Sequence, residues 1–292
     1  MLLRTFTAVA RSGSFSAAAR ELGYTQSAVS QQIAALEASL GGVPLLHRRP
    51  VVPTGAGARL LEHAEPLLLR ASAARADVLR AAGDPPDHLR VAACALAMPR
   101  LAAAVGSATS AMPRLDLTIT VAAPDAVAIE VARGGCELGL AVGLTTLGDP
   151  LPLPDVGPLR SVVISTDSVS VLLPADHPLA RRRGLRLADL ADARWLLAPA
   201  VAAPAAEVRR AVGADRLSCA ITYAGTDLAG LLALVAAGAG LVPLPAWVAA
   251  GHPEVVAVPV TEPRLEFRAE LLSGVTADPG AAGALLATLL GA

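Results

Sequence analysis

The sequence predicts an α + α/β chain: a small helical head, one long helix, and a larger body of alternating strands and helices. Three observations predict it. A short helix, a glycine turn and a longer helix occupy residues 17–41. An apolar seam at alternating spacings of four and three runs through residues 60–78. From residue 88 onward, strand-like and helix-like segments alternate.

The head begins with a helix over residues 2–11, with Leu3, Phe6, Val9 and Ala10 on one face. Ser16 is the expected N-cap of a second helix over residues 17–22, and Gly23 is its natural stop. Thr25 caps the third helix. At about 100° per residue, Val29, Ile33, Leu36 and Leu40 fall in one narrow stripe. Gln26, Ser27, Ser30, Gln31 and Ala34 fall on a separate arc. That arc carries amides and hydroxyls in place of the usual Glu, Lys and Arg, and such groups suit the reading of base edges; a solvated face is the alternative. Two short helices, a three-residue turn and a longer helix form the helix-turn-helix pattern. The run PLLHRRPVVPTGAG then has two short apolar segments around His47, Arg48 and Arg49, as a β-wing would.

From residue 57 to about 82 the chain reads as helix. Leu60, Ala64, Leu67, Ala71, Ala74 and Val78 make a heptad seam that a solitary helix beside a compact head has little of its own domain to bury against, so a dimer contact is expected, with packing on its own chain as the alternative. Pro66 lies within it and is expected to kink or weaken it. The GDPPD run at 83–87 is a linker. In the body, strands are expected at 89–94, 115–123, 138–143, 168–174, 220–225 and 240–245, and helices at 99–112, 125–133, 205–212 and 228–237. This alternation predicts a mostly parallel sheet with ligands beyond the carboxyl ends of the strands, at 94–98, 123–125, 143–146 and 225–227.

Composition narrows the function. Hydrophobic residues make up 54% of the 292 and aromatics 2%, so the cores are built from Ala, Val and Leu. All 24 basic residues are arginine. Residues 1–60 hold six arginines against Glu21 and Glu37, whereas the remainder has 18 arginines against 23 acids. A basic head on an acidic body suits a nucleic-acid-binding module joined to a separate domain. Mean hydropathy is +0.55, yet charges, Pro or Gly interrupt every long apolar run, so no membrane span is expected. Arg11 interrupts the apolar N-terminus before any cleavage-like site; no signal peptide is read, and a cytoplasmic location is expected. Cys94, Cys136 and Cys219 are too scattered for a disulfide framework or a zinc site. The sequence has no GxSxG, HExxH or phosphate-binding GxxxxGK[ST] motif, and its five histidines lack ligand spacing. No catalytic residues, metal or cofactor are expected.

With these residues in place, the chain resembles the LysR-type transcriptional regulators. SGSFSAAARELGYTQSAVSQQIAALEASLG, LLHRR and PTGAG carry the resemblance most specifically, with weaker echoes in GGCELGLAVG, ADHPLA and LLALVAAGAGLVPLP. The resemblance implies a winged helix-turn-helix (residues 1–58), a dimerising linker helix and hinge (59–87), and an effector domain like a periplasmic binding protein (88–292). Subdomain I would cover about 88–162 and 262–292, and subdomain II about 163–261, with crossings near 157–168 and 258–266. It implies binding to double-stranded DNA at an interrupted palindrome near a promoter, a small-molecule effector, a homodimer or homotetramer, and contact with the transcription machinery. Thr25, Gln26, Ser27, Ser30 and Gln31 carry over as recognition-helix contacts, and Arg48 and Arg49 as wing contacts. Effector positions carry over to Cys94, Ala95 and Leu96, then Ala123, Thr145, Pro199, Val201 and Thr226. Where the family often offers Ser or Thr after the first effector strand, this sequence reads Cys94-Ala95-Leu96-Ala97, which favours a less polar ligand. The short wing and Pro66 suggest the alternative, a small-molecule sensor whose head has lost DNA binding.

Overall fold

The computed structural model describes residues 1–83, 88–201, 204–213, 220–275 and 279–292. The chain forms two compact units, Met1–Ala76 with Asp155–Gly157, and Asp77–Pro154 with Pro158–Ala292.

In the first unit, helices α1 (Leu2–Ser12), α2 (Phe15–Leu22) and α3 (Gln26–Ser39) are followed by strands β1 (Leu46–Arg48) and β2 (Val51–Pro53) and by helix α4 (Gly55–Gly83) as far as Ala76. Phe6, Val9, Ala18, Val29, Ile33 and Leu45 are buried together. Burying Val29 and Ile33 contributes roughly 1.5–3 kcal/mol each and fixes which side of α3 faces out. Strands β1 and β2 pair antiparallel, with His47 opposite Val52.

Three details of the head differ from the sequence reading. The N-cap of α2 is Ser14, whose hydroxyl accepts from the Ala17 N–H at 3.3 Å, so the helix starts two residues before the expected place. Leu40 is the C-cap of α3 and is exposed, because the helix unwinds before a fourth apolar position can reach the core. The seam on α4 divides: Leu60 packs on the head core and Ala64 is buried, while Leu67, Ala71, Ala74 and Val78 are exposed. Helix α4 continues through Pro66, which leaves the Glu62 carbonyl without its usual helical N–H.

The second unit continues with β3 (His88–Ala93), a 3-10 turn at Ala95–Ala97, α5 (Met98–Ala111), β4 (Asp116–Val121), α6 (Pro124–Ala132) and β5 (Leu138–Thr146). Next come β6 (Leu159–Pro174), β7 (Leu185–Arg186), β8 (Trp195–Leu197), α7 (Ala205–Val212), β9 (Ala220–Thr222), α8 (Leu228–Ala236) and β10 (Val242–Pro245). Strands β11 (Val255–Glu262) and β12 (Leu265–Gly274) and helix α9 (Gly280–Leu290) complete it. Residues 84–87 of the expected linker lie outside the described residues.

The main sheet runs β4-β3-β5-β12-β6-β11-β7, with β10 also on β6. It is mixed, which corrects the expectation of a mostly parallel sheet. β3 is parallel to β4 and β5, but β12 is antiparallel to both β5 and β6, and β6 is antiparallel to β10 and β11. The antiparallel centre comes from two long passages of chain that need no crossover helix. On β6 the partner changes from β12 to β10 and β11 after Ser168; the chain returns between Glu262 and Leu265. Helix α6 packs against β5 where Gly139 leaves room: a Cβ there would meet Val131 at 2.6 Å and Val127 at 2.9 Å.

Candidate nucleic-acid interface and ligand cavity

Helix α3 presents its polar arc outward. Gln26, Ser27 and Gln31 are exposed and Ser30 is half-buried, while Val29 and Ile33 behind them are fully buried. The Thr25 hydroxyl caps the helix, accepting from the Ala28 N–H at 3.2 Å, and lies 3.0 Å from the Ser27 hydroxyl. The two hydroxyls therefore sit at the helix N-terminus, where free N–H groups favour a phosphate. On the inner side, Gln32 accepts from the buried Thr5 hydroxyl at 2.5 Å and ties α3 to α1.

The wing is anchored to the same helix. One Glu37 carboxylate oxygen accepts from the Leu45 N–H at 2.8 Å, and the other lies 3.8 Å from the Arg48 guanidinium. That guanidinium also stands 5.4 Å from the centre of the Phe15 ring, a cation–π distance. Arg48 is thus held between α2 and α3, whereas Arg49 is exposed at the β1–β2 turn. Sequence reasoning missed the Glu37–Arg48–Phe15 link; the available signal was that Glu37 is the one acid in α3.

In the second unit, a cavity of about 270 Å³ lies beside the carboxyl-terminal part of β5 and past the end of β8. Its walls are Pro124 and Asp125 at the start of α6, Gly143 and Leu144 of β5, the 151–153 loop, Pro199, and Pro204, Ala206 and Glu207 at the start of α7. The loop hangs from β12. Glu266 accepts from the Gly148 N–H at 3.2 Å, and Glu270 accepts from the Leu151 N–H at 3.4 Å. Arg268 donates to Glu270 at 2.7 Å, and the Ser161 hydroxyl donates to the same carboxylate. Both carboxylates are buried, and Arg268 between them offsets their charge. A separate hollow of about 530 Å³ lies among α5, β5, β6 and Trp247.

The eight expected effector residues do not share one cavity. Pro199 lines the 270 Å³ cavity, and Ala123 immediately precedes its wall residue Pro124. Leu96 lines the 530 Å³ hollow instead. The Thr145 hydroxyl is committed to the Asp149 and Pro150 carbonyls, at 3.5 and 3.3 Å, and its residue borders a small hollow of about 130 Å³ shared with Glu207 and Arg210. Cys94 and Val201 are fully buried in the apolar core, Ala95 is buried beside them, and Thr226 is half-buried and lines none of these cavities. Glu207 was not singled out from the sequence, although an acid in the first turn of a helix just after Pro199 was a usable signal.

Burial pushes the Cys94 thiol up to about 11 and the Cys136 thiol up to about 12, the latter also raised by Glu130 and Glu137. Protonated, enclosed thiols are poor nucleophiles. Cys219 lies outside the described residues. Among the described residues, no cluster of His, Cys, Asp and Glu could hold a metal ion, and no helix is long and apolar enough to cross a membrane.

A winged helix-turn-helix followed by an α/β unit with a cavity at its strand ends defines the class: a DNA-binding head coupled to a small-molecule-binding domain. The model for the bacterial regulatory helix-turn-helix proteins of the lysR family matches residues 1–58, and that for the LysR substrate binding domain matches residues 82–290. The chain belongs to the LysR family. It is 35% identical over 202 residues to small neutral protease regulatory proteins of Streptomyces coelicolor and Streptomyces lividans, covering 68% of this chain but only 59% and 56% of theirs. To a probable HTH-type transcriptional regulator, LrrA, of Synechococcus elongatus it is 31% identical, over 87% of this chain and 83% of that one. Full-length CbnR, a LysR family transcriptional regulator, has the same fold, with a TM-score of 0.54 at 24% identity over 99% of this chain and 98% of that one. CbnR complexed with its target DNA gives 0.53 at 23%, over 99% and 97%.

Proposed function

We propose that the chain is a sequence-specific DNA-binding transcription regulator whose activity is set by a small molecule in the cavity between α6, α7 and the 151–153 loop. It acts in the cytoplasm, without catalysis, as a homodimer or homotetramer on an interrupted palindrome near a promoter, in contact with the transcription machinery. The observation that carries this reading is the exposed polar arc of α3, Gln26, Ser27, Ser30 and Gln31, set against the buried Val29 and Ile33 and flanked by the wing arginines. Gln31 reads a base edge, and a bidentate amide contact with adenine is worth ~1–3 kcal/mol of discrimination. Thr25 and Ser27 hold phosphate at the helix N-terminus, and Arg48 and Arg49 hold the backbone or minor groove. The exposed part of the α4 seam, Leu67, Ala71, Ala74 and Val78, supports the oligomer.

The test is fluorescence anisotropy on DNA from upstream of the chain's own gene against an unrelated duplex, across a salt series. A preference of about three orders of magnitude or more is expected. Gln31→Ala weakens the cognate site far more than the unrelated duplex, whereas Arg49→Ala lowers both and shallows the salt slope by about 0.9. Equal loss on both duplexes for Gln31→Ala would remove the base-reading role.

A further inference from the structure

We propose that Glu37 is a specificity-determining residue of the head: it holds the wing's Arg48 in one register with α3, so that this arginine is not free to meet phosphates wherever they fall. This rests on the reading above that the wing arginines meet DNA. About three turns beyond Gln26, Glu37 returns to within roughly 20° of it around α3, so it continues the polar arc. It is the one acid in that helix. A carboxylate on this arc is repelled by phosphates, and at the C-terminal end of a helix it also opposes the helix dipole. Its hydrogen bond from the Leu45 N–H, at 2.8 Å, does not need the charge, because a glutamine carbonyl oxygen accepts equally from an N–H. Among the described residues the charge has one cationic partner, Arg48, whose guanidinium lies 3.8 Å from the other carboxylate oxygen.

The two wing arginines are therefore not equivalent. Arg48 is held from two sides, by Glu37 of α3 and by the Phe15 ring of α2, 5.4 Å from its guanidinium. Its side chain is still 56% exposed, so the held guanidinium can reach a backbone. Arg49 is exposed at the β1–β2 turn and has no such hold among the described residues. A free arginine on a flexible stem meets the phosphates of any duplex alike and adds affinity without sequence information. An arginine fixed to α2 and α3 meets its phosphate only when α3 is seated on the bases it reads, because one docked geometry serves both. Specificity is a difference of two affinities, and restraining Arg48 lowers the one for the wrong duplex. A purely structural Glu37 would, when changed, weaken binding to every duplex alike.

Glu37→Gln keeps the Leu45 hydrogen bond and removes the charge. Fluorescence anisotropy of the full chain, on DNA from upstream of its own gene and on an unrelated duplex, reads the result. The unrelated duplex is expected to bind about twofold to fivefold tighter, the scale of one freed surface ion-pair contact. The preference for the upstream DNA is expected to fall about tenfold, the loss of one oriented contact. With Arg48→Ala already in place, Glu37→Gln should leave that preference unmoved, since no arginine remains to be held. Arg48→Lys keeps the charge but loses the planar fork; it lowers the preference in the same direction and serves if Glu37→Gln unfolds. Unrelated DNA bound no tighter by Glu37→Gln, an unchanged preference in whichever variant folds, or the same fall in the Arg48→Ala chain overturns the proposal while wild-type discrimination stands. A wild type that does not discriminate removes the underlying reading of the head, and this inference with it.

Discussion

Replacing Gly57 by alanine tests how the wing is joined to the long helix. A Cβ at this position would lie 2.0 Å from the Leu45 carbonyl oxygen and 3.0 Å from its carbon. Real Cβ contacts essentially never fall below 3.0 Å, so the first turn of α4 must retreat by about 1 Å. The retreat is resisted locally. The Thr54 N–H donates to that same Leu45 oxygen at 2.9 Å, and the Thr54 hydroxyl accepts from the Gly57 N–H at 3.0 Å and donates to Pro44 at 2.7 Å. Overpacking costs about 1–3 kcal/mol and a weakened hydrogen bond about 1; alanine's better helix propensity returns about 1 kcal/mol. The net loss is about 1–3 kcal/mol, which at about 4–8 °C per kcal/mol lowers the head's transition on the order of 10 °C. Amide hydrogen exchange at Leu45 and Thr54 reads the head apart from the body. Gly106→Ala, inside α5 with open space where its Cβ would be, is the control and should gain about 0.5–1 kcal/mol. Gly57→Ala with wild-type exchange protection would refute the reasoning, since the close approach would then carry no constraint.

Two further outcomes are expected. Because burial raises Cys94 to about 11 and Cys136 to about 12 from 9.0, the unfolded chain loses these protons first as pH rises. Stability therefore falls with rising pH from about 9 towards 11, by up to about 1.4 kcal/mol per pH unit for each thiol. Urea midpoints at about pH 8 and about pH 10 should show a smaller loss for Cys94→Ala than for wild type; equal losses would reject the assignment. Separately, light scattering should give wild type a mass at least twice 29.4 kDa, and Leu67→Asp with Val78→Asp should reduce it. A wild-type monomer, or an unmoved variant, would remove the α4 seam from the oligomer.

The head was legible because its signals are local. Gly23, with φ of 71°, stops α2; Thr25 caps α3; and Val29 and Ile33 recur at helical spacing. Even there, SGSFS places Ser14 two residues before the expected cap Ser16, and only the fold decides for Ser14, because Gly13 has already turned the chain. In the body, β6 hid half its length: residues 159–168 alternate weakly and stay largely open to solvent, and only 169–174 read as a buried strand. Long-range charge pairing was out of reach. Arg90 and Glu137, 47 residues apart, join β3 to the start of β5 at 2.7 Å, and no periodicity announces such a pair. The cavity suffered most. Its position at strand ends followed from topology, but its wall of prolines and Glu207 depends on how the 151–153 loop folds back.

That loop explains how a small ligand could act on more than its own pocket. It is hung on Glu266 and Glu270, two residues of β12 on the same face as Arg268. β12 pairs along its length with both β5 and β6, and β6 runs on without a break to carry β10 and β11. The cavity walls come from both ends of this system: β5 and the loop from one side, Pro199 and the start of α7 from the other. A ligand packed between Leu151 and Pro199 would bind best at one spacing of those walls, and differential binding is what biases a two-state equilibrium. The link between those walls is β6 and β12, continuous strands that resist stretching and tolerate twist. The two halves of this sheet meet on β6 near Ser168, where its partner changes from β12 to β10 and β11, so a change in the spacing of the cavity walls would be felt at that passage.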